Sequence, residues 1–338
     1  MKKHVNIPIF IPHVGCPNAC VFCNQRKISG RMGFDRQAVR RELEEAFSTV
    51  DGSCPVQIAY FGGSFTGIGR KDMTDLLGLA NEYIERGQCE SVRISTRPDY
   101  IDREILGLLR QYRVASVELG IQSTDDGVLC ACKRGHTKED SFRAAALVKE
   151  YGFELVGQMM VGLPGSTPES ERQTARDICL MGADGARIYP TVVFGDTALA
   201  DMTIEGSYEP LTRETSVARA ANALAVFIEH GVPVIRLGLQ SGEVLETGDG
   251  VIAGGYHPAV GELAYSRCFR DSLEAALLSE QTRGRAALVR AHRADVSKVI
   301  GQRGENRDYF IRKFLLKEFR VVSDATAVRN HPSISILS

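Results

Sequence analysis

Short apolar runs alternate with amphipathic stretches along most of this chain. The runs predict strands at 5–12, 56–61, 91–96, 116–122, 154–162, 186–193 and 232–239. Between them, apolar residues recurring at helical spacing predict helices over 35–50, 70–86, 102–112, 138–151, 168–181 and 213–230. In the fourth of these, Phe142, Ala145, Ala146 and the Val148/Lys149 pair read as one helical face. Asp35, Asp102, Thr137 and Thr212 stand where N-caps belong. Strand–helix alternation implies a parallel sheet with right-handed crossovers. Six or seven such units curl into a partial or full (β/α) barrel, so the predicted class is α/β. Chemistry in such barrels collects at the C-terminal ends of the strands.

Composition sharpens the class without changing it. The chain has 338 residues, 43% hydrophobic and 25% charged, enough for one large α/β domain and a small appendage. The expected division is a barrel over 1–240, a helical connection or lid over 241–282 and a small C-terminal α/β domain over 283–338. A formal net charge of -1 argues against a strongly basic nucleic-acid binder overall, but leaves room for a local basic patch. No apolar run approaches the roughly 18 residues of a membrane span. There is no low-complexity segment and no internal repeat. The absence of an apolar signal stretch and an odd count of 9 cysteines predict a reducing cytoplasm.

Three of those cysteines are crowded together: Cys16, Cys20 and Cys23, in the spacing C-x3-C-x2-C. Three thiolates so close can hold three irons of a cubane cluster, leaving one iron open to a further ligand. A zinc site would want a fourth Cys or His in a paired arrangement, and His13 lies on the wrong side of the run. The cysteine run follows the first predicted strand. Phe61-Gly62-Gly63-Ser64-Phe65-Thr66 follows the second, where paired glycines let a ligand approach the backbone. Ser95 to Asp99 ends the third, Gly120 to Ser123 the fourth, and Gln158 to Gly165 the fifth.

With Phe22 just before the last cysteine, the motif resembles that of the radical S-adenosylmethionine (SAM) enzymes. Thr96-Arg97-Pro98-Asp99-Tyr100, Glu118-Leu119-Gly120-Ile121-Gln122-Ser123, Arg134-Gly135-His136, Met159-Met160 and Tyr189-Pro190-Thr191 narrow it. Over roughly residues 5–240 the chain resembles the radical SAM core of the catalytic subunit of Elongator and its relatives. A weaker likeness runs to the oxygen-independent coproporphyrinogen oxidases.

The resemblance implies a [4Fe-4S] cluster on Cys16, Cys20 and Cys23, with SAM on the open iron. It implies that Phe22 packs near the adenine and that Gly62, Gly63 and Ser64 hold the methionine ammonium. It places Gln122 and Arg134 on ribose and carboxylate and Gln158 beside them; a planar guanidinium suits a carboxylate. It also implies an electron donor such as flavodoxin or ferredoxin. Two features depart from Elongator. Ser95 stands where a Glu is usual, and the gap between the first two cysteines is shorter. The residues after the barrel show no acetyl-CoA pyrophosphate loop, so Elongator's acetyltransferase chemistry is not expected to transfer.

Beyond the barrel, Gly254-Gly255-Tyr256-His257-Pro258 opens a helix carrying Glu262 and Tyr265 and running to Leu278. Two readings stand: a loop closing over the site, or a turn capping the helix. A strand at 287–291, a helix at 294–300, Gly301-Gln302-Arg303-Gly304, a helix at 305–317 and strands at 319–323 and 334–337 resemble a KH-type fold. Such a loop clamps nucleic-acid backbone, and Lys298, Arg303 and Arg307 would supply charge. The competing reading is a small appendage with a glycine-rich turn. Cys130 and Cys132 are two apart on a predicted helix and point to different faces. His136 and His257 suit acid–base work or loop hydrogen bonds. Arg187 meets either an anionic substrate group or a barrel carboxylate such as Glu118.

The expected activity is reductive cleavage of SAM to a 5′-deoxyadenosyl radical, with tRNA the leading substrate class. A small-molecule or tetrapyrrole enzyme is the alternative, and a non-catalytic cluster protein that binds haem or RNA is a third. No residue is singled out as catalytic.

Overall fold

The computed structural model describes residues 5–11, 16, 20–23, 35–50, 54–239 and 250–337. Seven strands form one parallel sheet in sequence order: β1 (Val5–Ile11), β2 (Val56–Gly62), β3 (Ser91–Thr96), β4 (Val114–Gln122), β5 (Glu154–Val161), β6 (Gly185–Pro190) and β8 (Val234–Leu237). The first and last strands do not pair with each other, so this is a curled, open barrel rather than a closed one. Helices α1 (Arg36–Thr49), α2 (Arg70–Glu85), α3 (Arg103–Gln111), α4 (Asp126–Ala131), α5 (Lys138–Glu150), α6 (Pro168–Leu180), α7 (Ala198–Ile204) and α8 (Arg213–Glu229) complete the crossovers.

The predicted caps are real. Asp35 accepts from Gln37 N, Asp102 from Ile105 N and Thr212 from Thr215 N, while Thr137 and Asp140 form a reciprocal capping box. The face of α5 is shifted by one residue from expectation. Ser141, Ala144, Ala145 and Val148 are buried, whereas Ala146 is exposed and Lys149 reaches out to Asp184. Pro190 closes β6 because it has no N–H to donate, and the predicted strand at 186–193 therefore breaks in two. Its second part, β7 (Val192–Phe194), pairs antiparallel with β9 (Val251–Gly254), a strand the sequence pattern did not predict. Helix α7 was likewise unpredicted and is short, whereas the helix expected to carry Cys130 and Cys132 is α4, which ends at Ala131 with Cys132 as its C-cap. The first predicted strand ends at Ile11, and Pro12 and His13 lie outside the described residues.

The barrel lumen is polar. Arg93, fully buried, reaches Glu118 at 3.1 Å and Glu154 at 3.0 Å, and Arg187 reaches Glu118 at 2.9 Å. The barrel-carboxylate reading of Arg187 is the one observed. After Gly254 ends β9, the chain turns at Pro258 and Ala259 into the next helix. His257 Nδ1 accepts from Ala259 N at 3.0 Å, and a Cβ on Gly255 would fall 2.3 Å from Ser216 Oγ.

From that turn runs α9 (Val260–Leu277). A smaller α/β unit follows: β10 (Ala286–Ala291), α10 (Val296–Ile300), a 3-10 turn at Gln302–Gly304, α11 (Glu305–Lys313), β11 (Glu318–Ser323) and β12 (Ser333–Leu337). Strand β10 is central, parallel to β11 and antiparallel to β12. Its apolar core, with Phe310 and Phe319 stacked at 4.8 Å, shares Phe269, Leu273 and Leu277 of α9. Helix α11 is shorter than predicted because the chain turns left-handed at Leu315 (φ 51°) to start β11. No helix among the described residues is long and apolar enough to cross a membrane.

Candidate active site

The ends of β1 and β2 meet first. Gly63 N donates to Ile11 O at 3.0 Å, and a Cβ on Gly62 (φ 108°) would lie 2.4 Å from the same oxygen. Only glycine fits there, which explains half of the glycine pair. Ser64 is buried at the end of this loop, and its Oγ lies 3.4 Å from Cys16 Sγ.

The second and third cysteines share a tight turn, with Cys23 N donating to Cys20 O at 3.0 Å. Val21 stitches that turn to the barrel: its N–H donates to Cys132 O at 3.1 Å, and its carbonyl accepts from Leu199 N at 2.8 Å. Phe22 is half-buried against an apolar cluster that includes Val128, Leu163, Val193 and Leu199. The two short helices therefore have a purpose: α4, through its C-cap Cys132, and α7, through Leu199, hold the cysteine turn.

Arg134 joins the cysteine turn to β4. Its Nη1 lies 3.5 Å from Cys20 Sγ, and its Nη2 donates to Gly120 O at 2.6 Å. Arg134 and Gln122 pack directly over Gly120, where a Cβ would stand 2.9 Å from Arg134 Nη2 and 3.0 Å from Gln122 Nε2. Gln122 is left-handed (φ 66°) at a register shift between β4 and β5, and its Oε1 lies 3.5 Å from Gln158 Nε2. An unusual backbone conformation at a polar strand end is where function collects. Thus Gln122, Arg134 and Gln158 form one corner with Cys20, and Gly62, Gly63 and Ser64 form a second with Cys16.

Sequence reasoning assigned no role to Arg97, yet it ties the corners together. It is 1% exposed, with Nε and Nη2 on Asp99 at 2.9 and 2.8 Å and Nη2 also on Arg134 O at 2.6 Å. Burial works against its charge, but Asp99, Cys20 and Cys16 outweigh it, so its pKa is raised. The signal was present in the Thr96–Tyr100 run, but nothing local says that the side chain turns inward. His136 is also buried. Its Nε2 faces Ile121 O at 3.3 Å, and burial, with Arg134 and Arg97 adding to it, lowers its pKa to about 4. Cys132 is buried with its thiol pushed up to about 12 by burial and the nearby Cys20, whereas Cys130 is exposed.

The donor set suits an iron–sulfur cluster. Three thiols stand at one barrel mouth, with the Arg134 guanidinium 3.5 Å from one of them and the charge of Arg97 acting on two. Among the described residues no three Cys, His, Asp or Glu side chains are already gathered as a metal site; residues 17–19, between the first two cysteines, lie outside that set.

The radical SAM superfamily model matches residues 10–178, half of the chain, and its C-terminal domain model matches 183–269. The chain belongs to the radical SAM superfamily. It is an enzyme of that superfamily, whose members use SAM and a [4Fe-4S] cluster. It is 34% identical over 140 residues to the tRNA uridine(34) acetyltransferase of Methanocaldococcus jannaschii, covering 40% of this chain but only 26% of that one. It is 25% identical over 246 residues to an uncharacterized protein of the same organism, covering 69% and 74% of the two chains. In fold it is similar to the archaeal Methanocaldococcus infernus Elp3, with a TM-score of 0.61 at 21% identity over 83% of this chain and 65% of that one. The radical SAM reading of the barrel and its α/β class are thereby established, and the resemblance to Elongator relatives stands as a likeness over part of their length. The match spans about a quarter of the curated tRNA-acting relative, 26% of its length.

Proposed function

We propose that this protein is a radical SAM enzyme that modifies tRNA. It would hold a [4Fe-4S] cluster on Cys16, Cys20 and Cys23 and SAM against Phe22, Gly62, Gly63, Ser64, Gln122, Arg134 and Gln158. The observation that carries the site is the meeting of Cys20, Arg134, Gly120 and Gln122 in one buried corner, with Gln158 touching it. The substrate class is supported by relatives whose names place them on tRNA. With Cys16, Cys20 and Cys23 holding the cluster and the residues above holding SAM, the pair would supply reductive cleavage of SAM and radical hydrogen abstraction, the electron drawn from a flavodoxin- or ferredoxin-like donor.

The residues of the chain bind, orient and exclude water. Arg134 presents a planar fork to the SAM carboxylate. The bared backbone at Gly62 and Gly63 offers carbonyls to the ammonium. Phe22 and its apolar neighbours form a dry wall for the adenine. Gln122 and Gln158 supply paired amide groups for ribose hydroxyls.

The test is anaerobic reconstitution. Parent protein should bind about four irons and release 5′-deoxyadenosine from SAM on reduction, and Cys20→Ala should do neither while remaining folded. Incubation with unmodified tRNA should change a nucleoside mass. A parent that cleaves SAM yet leaves every tRNA nucleoside unchanged, while altering a small metabolite, would shift the substrate to the small-molecule class.

A further inference from the structure

Charge is distributed very unevenly along this near-neutral chain. Residues 283–338 hold 12 Lys and Arg against 5 Asp and Glu, a net of +7; with -1 overall, the rest of the chain carries -8. Ion pairs do not cancel the excess. Lys298 pairs with Asp295 and Arg307 with Asp308, but Arg293, Arg303 and Arg329 are exposed and have no carboxylate partner among the described residues.

The chain segments that carry these three converge on Tyr265 and Ser266 of α9. Asn306, buried just after the Gly301–Gly304 turn, donates to Ser266 O at 2.9 Å and to Val299 O at 3.3 Å, fixing the Arg303 turn against α9. Lys298 Nζ sits 4.5 Å from the centre of the neighbouring Tyr265 ring. Asp295, two residues after Arg293, accepts from Asn330 N at 2.7 Å, and Arg329 is close enough for its charge to act on the Tyr265 hydroxyl. Glu305 and Asp308 occupy the first turn of α11, so the anion-binding capacity lies in the surrounding cations and not in that helix end.

The corner also lies toward the barrel mouth. Helix α9 starts against the C-terminal end of β8, where a Cβ on Gly261 would fall 2.9 Å from Leu237 O. Tyr265 and Ser266 follow Val260 by about one and a half helical turns, roughly 8–9 Å along the axis. We infer that this corner of the C-terminal domain, built on Arg293, Arg303 and Arg329, docks the phosphodiester backbone of RNA and presents it to the barrel. The inference rests on the tRNA reading above for what the barrel then does. RNA fits better than an acidic protein. The corner offers planar guanidinium forks around a bare glycine turn, a match for phosphates, and its exposed apolar side chain, Val328, is not the aromatic anchor typical of a protein interface.

The test is binding of a pool of unmodified tRNA transcripts by the full-length protein with its cluster, measured by anisotropy at several KCl concentrations. The parent should bind with a strong salt dependence. Arg293→Glu/Arg303→Glu/Arg329→Glu should lose roughly tenfold or more in affinity and flatten the salt slope, because each lost phosphate contact removes about 0.7–0.9 of slope. Its melting temperature and its RNA-independent SAM cleavage should match the parent. Binding by the triple variant equal to the parent overturns the docking site, even if tRNA is modified. A corner whose reversal leaves RNA binding intact but abolishes binding of an acidic flavodoxin overturns it too. Loss of tRNA binding on reversal supports it, even if no nucleoside change is ever found; that second result would count against the substrate reading alone.

Discussion

Arg97 donates through Nη2 to the backbone carbonyl of Arg134 at 2.6 Å, so two guanidinium groups, 1% and 7% exposed, share one corner of the barrel mouth. Burying two cations together is unfavourable unless anions face them. Asp99 supplies one, gripping Arg97 with both oxygens. The cysteines lie within reach of both: Arg134 Nη1 is 3.5 Å from Cys20 Sγ, and Cys16 and Cys20 act on the charge of Arg97. The corner joins the cysteine run to the loop that carries Arg134.

Replacing Arg97 tests how much of the fold rests on this corner. Arg97→Met keeps the bulk but strands Asp99 and the Arg134 carbonyl. The expected loss is about 3 kcal/mol, the low end for a broken buried pair, because Asp99 keeps partial contact with water. Arg97→Lys retains the charge without the bidentate grip and should lose less. Urea unfolding of both variants beside the parent measures the order; Met and Lys variants of equal stability would show that charge at this position is unimportant.

Arg134 should matter to the ligand more than to the cluster. Removing one charge-assisted contact costs on the order of 1.5–3 kcal/mol, about ten- to a hundredfold in SAM affinity. Calorimetric titration of SAM into cluster-loaded Arg134→Ala should show that loss with iron content unchanged. Gln122→Ala should weaken SAM in the same direction by less, since its neutral amide makes weaker bonds. An Arg134 variant with parental affinity would remove this residue from the SAM site.

How far the sequence revealed this arrangement depended on whether the signal was local. Caps at Asp35, Asp102 and Thr137 are decided within four residues, and they were legible. The superfamily was legible too, because the cysteine spacing is local. The helical face at Ala145 was displaced by one residue because alanine packs or faces water with little penalty either way, so Ala146 was taken for core. Arg97 was missed because its partners, Arg134 and Cys20, come from distant turns. The β7–β9 ribbon was missed because three and four residues of strand are too short to show a period.

His136 gives the fold an acid limit. Its pKa falls from 6.5 to about 4, through burial first and the charges of Arg134 and Arg97 next. The unfolded chain therefore binds a proton that the folded protein refuses across that window, and stability falls as pH drops from 6.5 toward 4. Above pH 6.5 both states are neutral and the effect vanishes. Over the whole window it amounts to about 3 kcal/mol. His136→Gln should unfold at a urea midpoint less dependent on pH between 6.5 and 4 than the parent, whatever its stability at pH 7.5. Parallel pH curves for the two proteins would place the acid sensitivity elsewhere.

Gly120→Ala probes the SAM corner by space alone. The added methyl would sit 2.9 Å from Arg134 Nη2 and 3.0 Å from Gln122 Nε2, both ends of flexible side chains, and 3.5 Å from Thr96 O. The backbone at residue 120 needs no left-handed turn, so strand β4 can accept alanine, and the side chains must give way instead. Arg134 then loses its 2.6 Å bond to Gly120 O and swings off the position it shares with Cys20. The expected outcome is a folded protein with near-parental cluster content and SAM binding weakened by about tenfold, the equivalent of one hydrogen bond to a charged group. Gly62→Ala makes the contrasting case. Its methyl would meet the Ile11 carbonyl, a backbone atom, at 2.4 Å with φ at 108°, so it should destabilise the barrel itself. Comparing the two by SAM titration and thermal melting separates a site defect from a fold defect. Loss of fold in Gly120→Ala, or parental SAM affinity in it, would show that the corner is not held by the packing of Arg134 and Gln122 over this glycine.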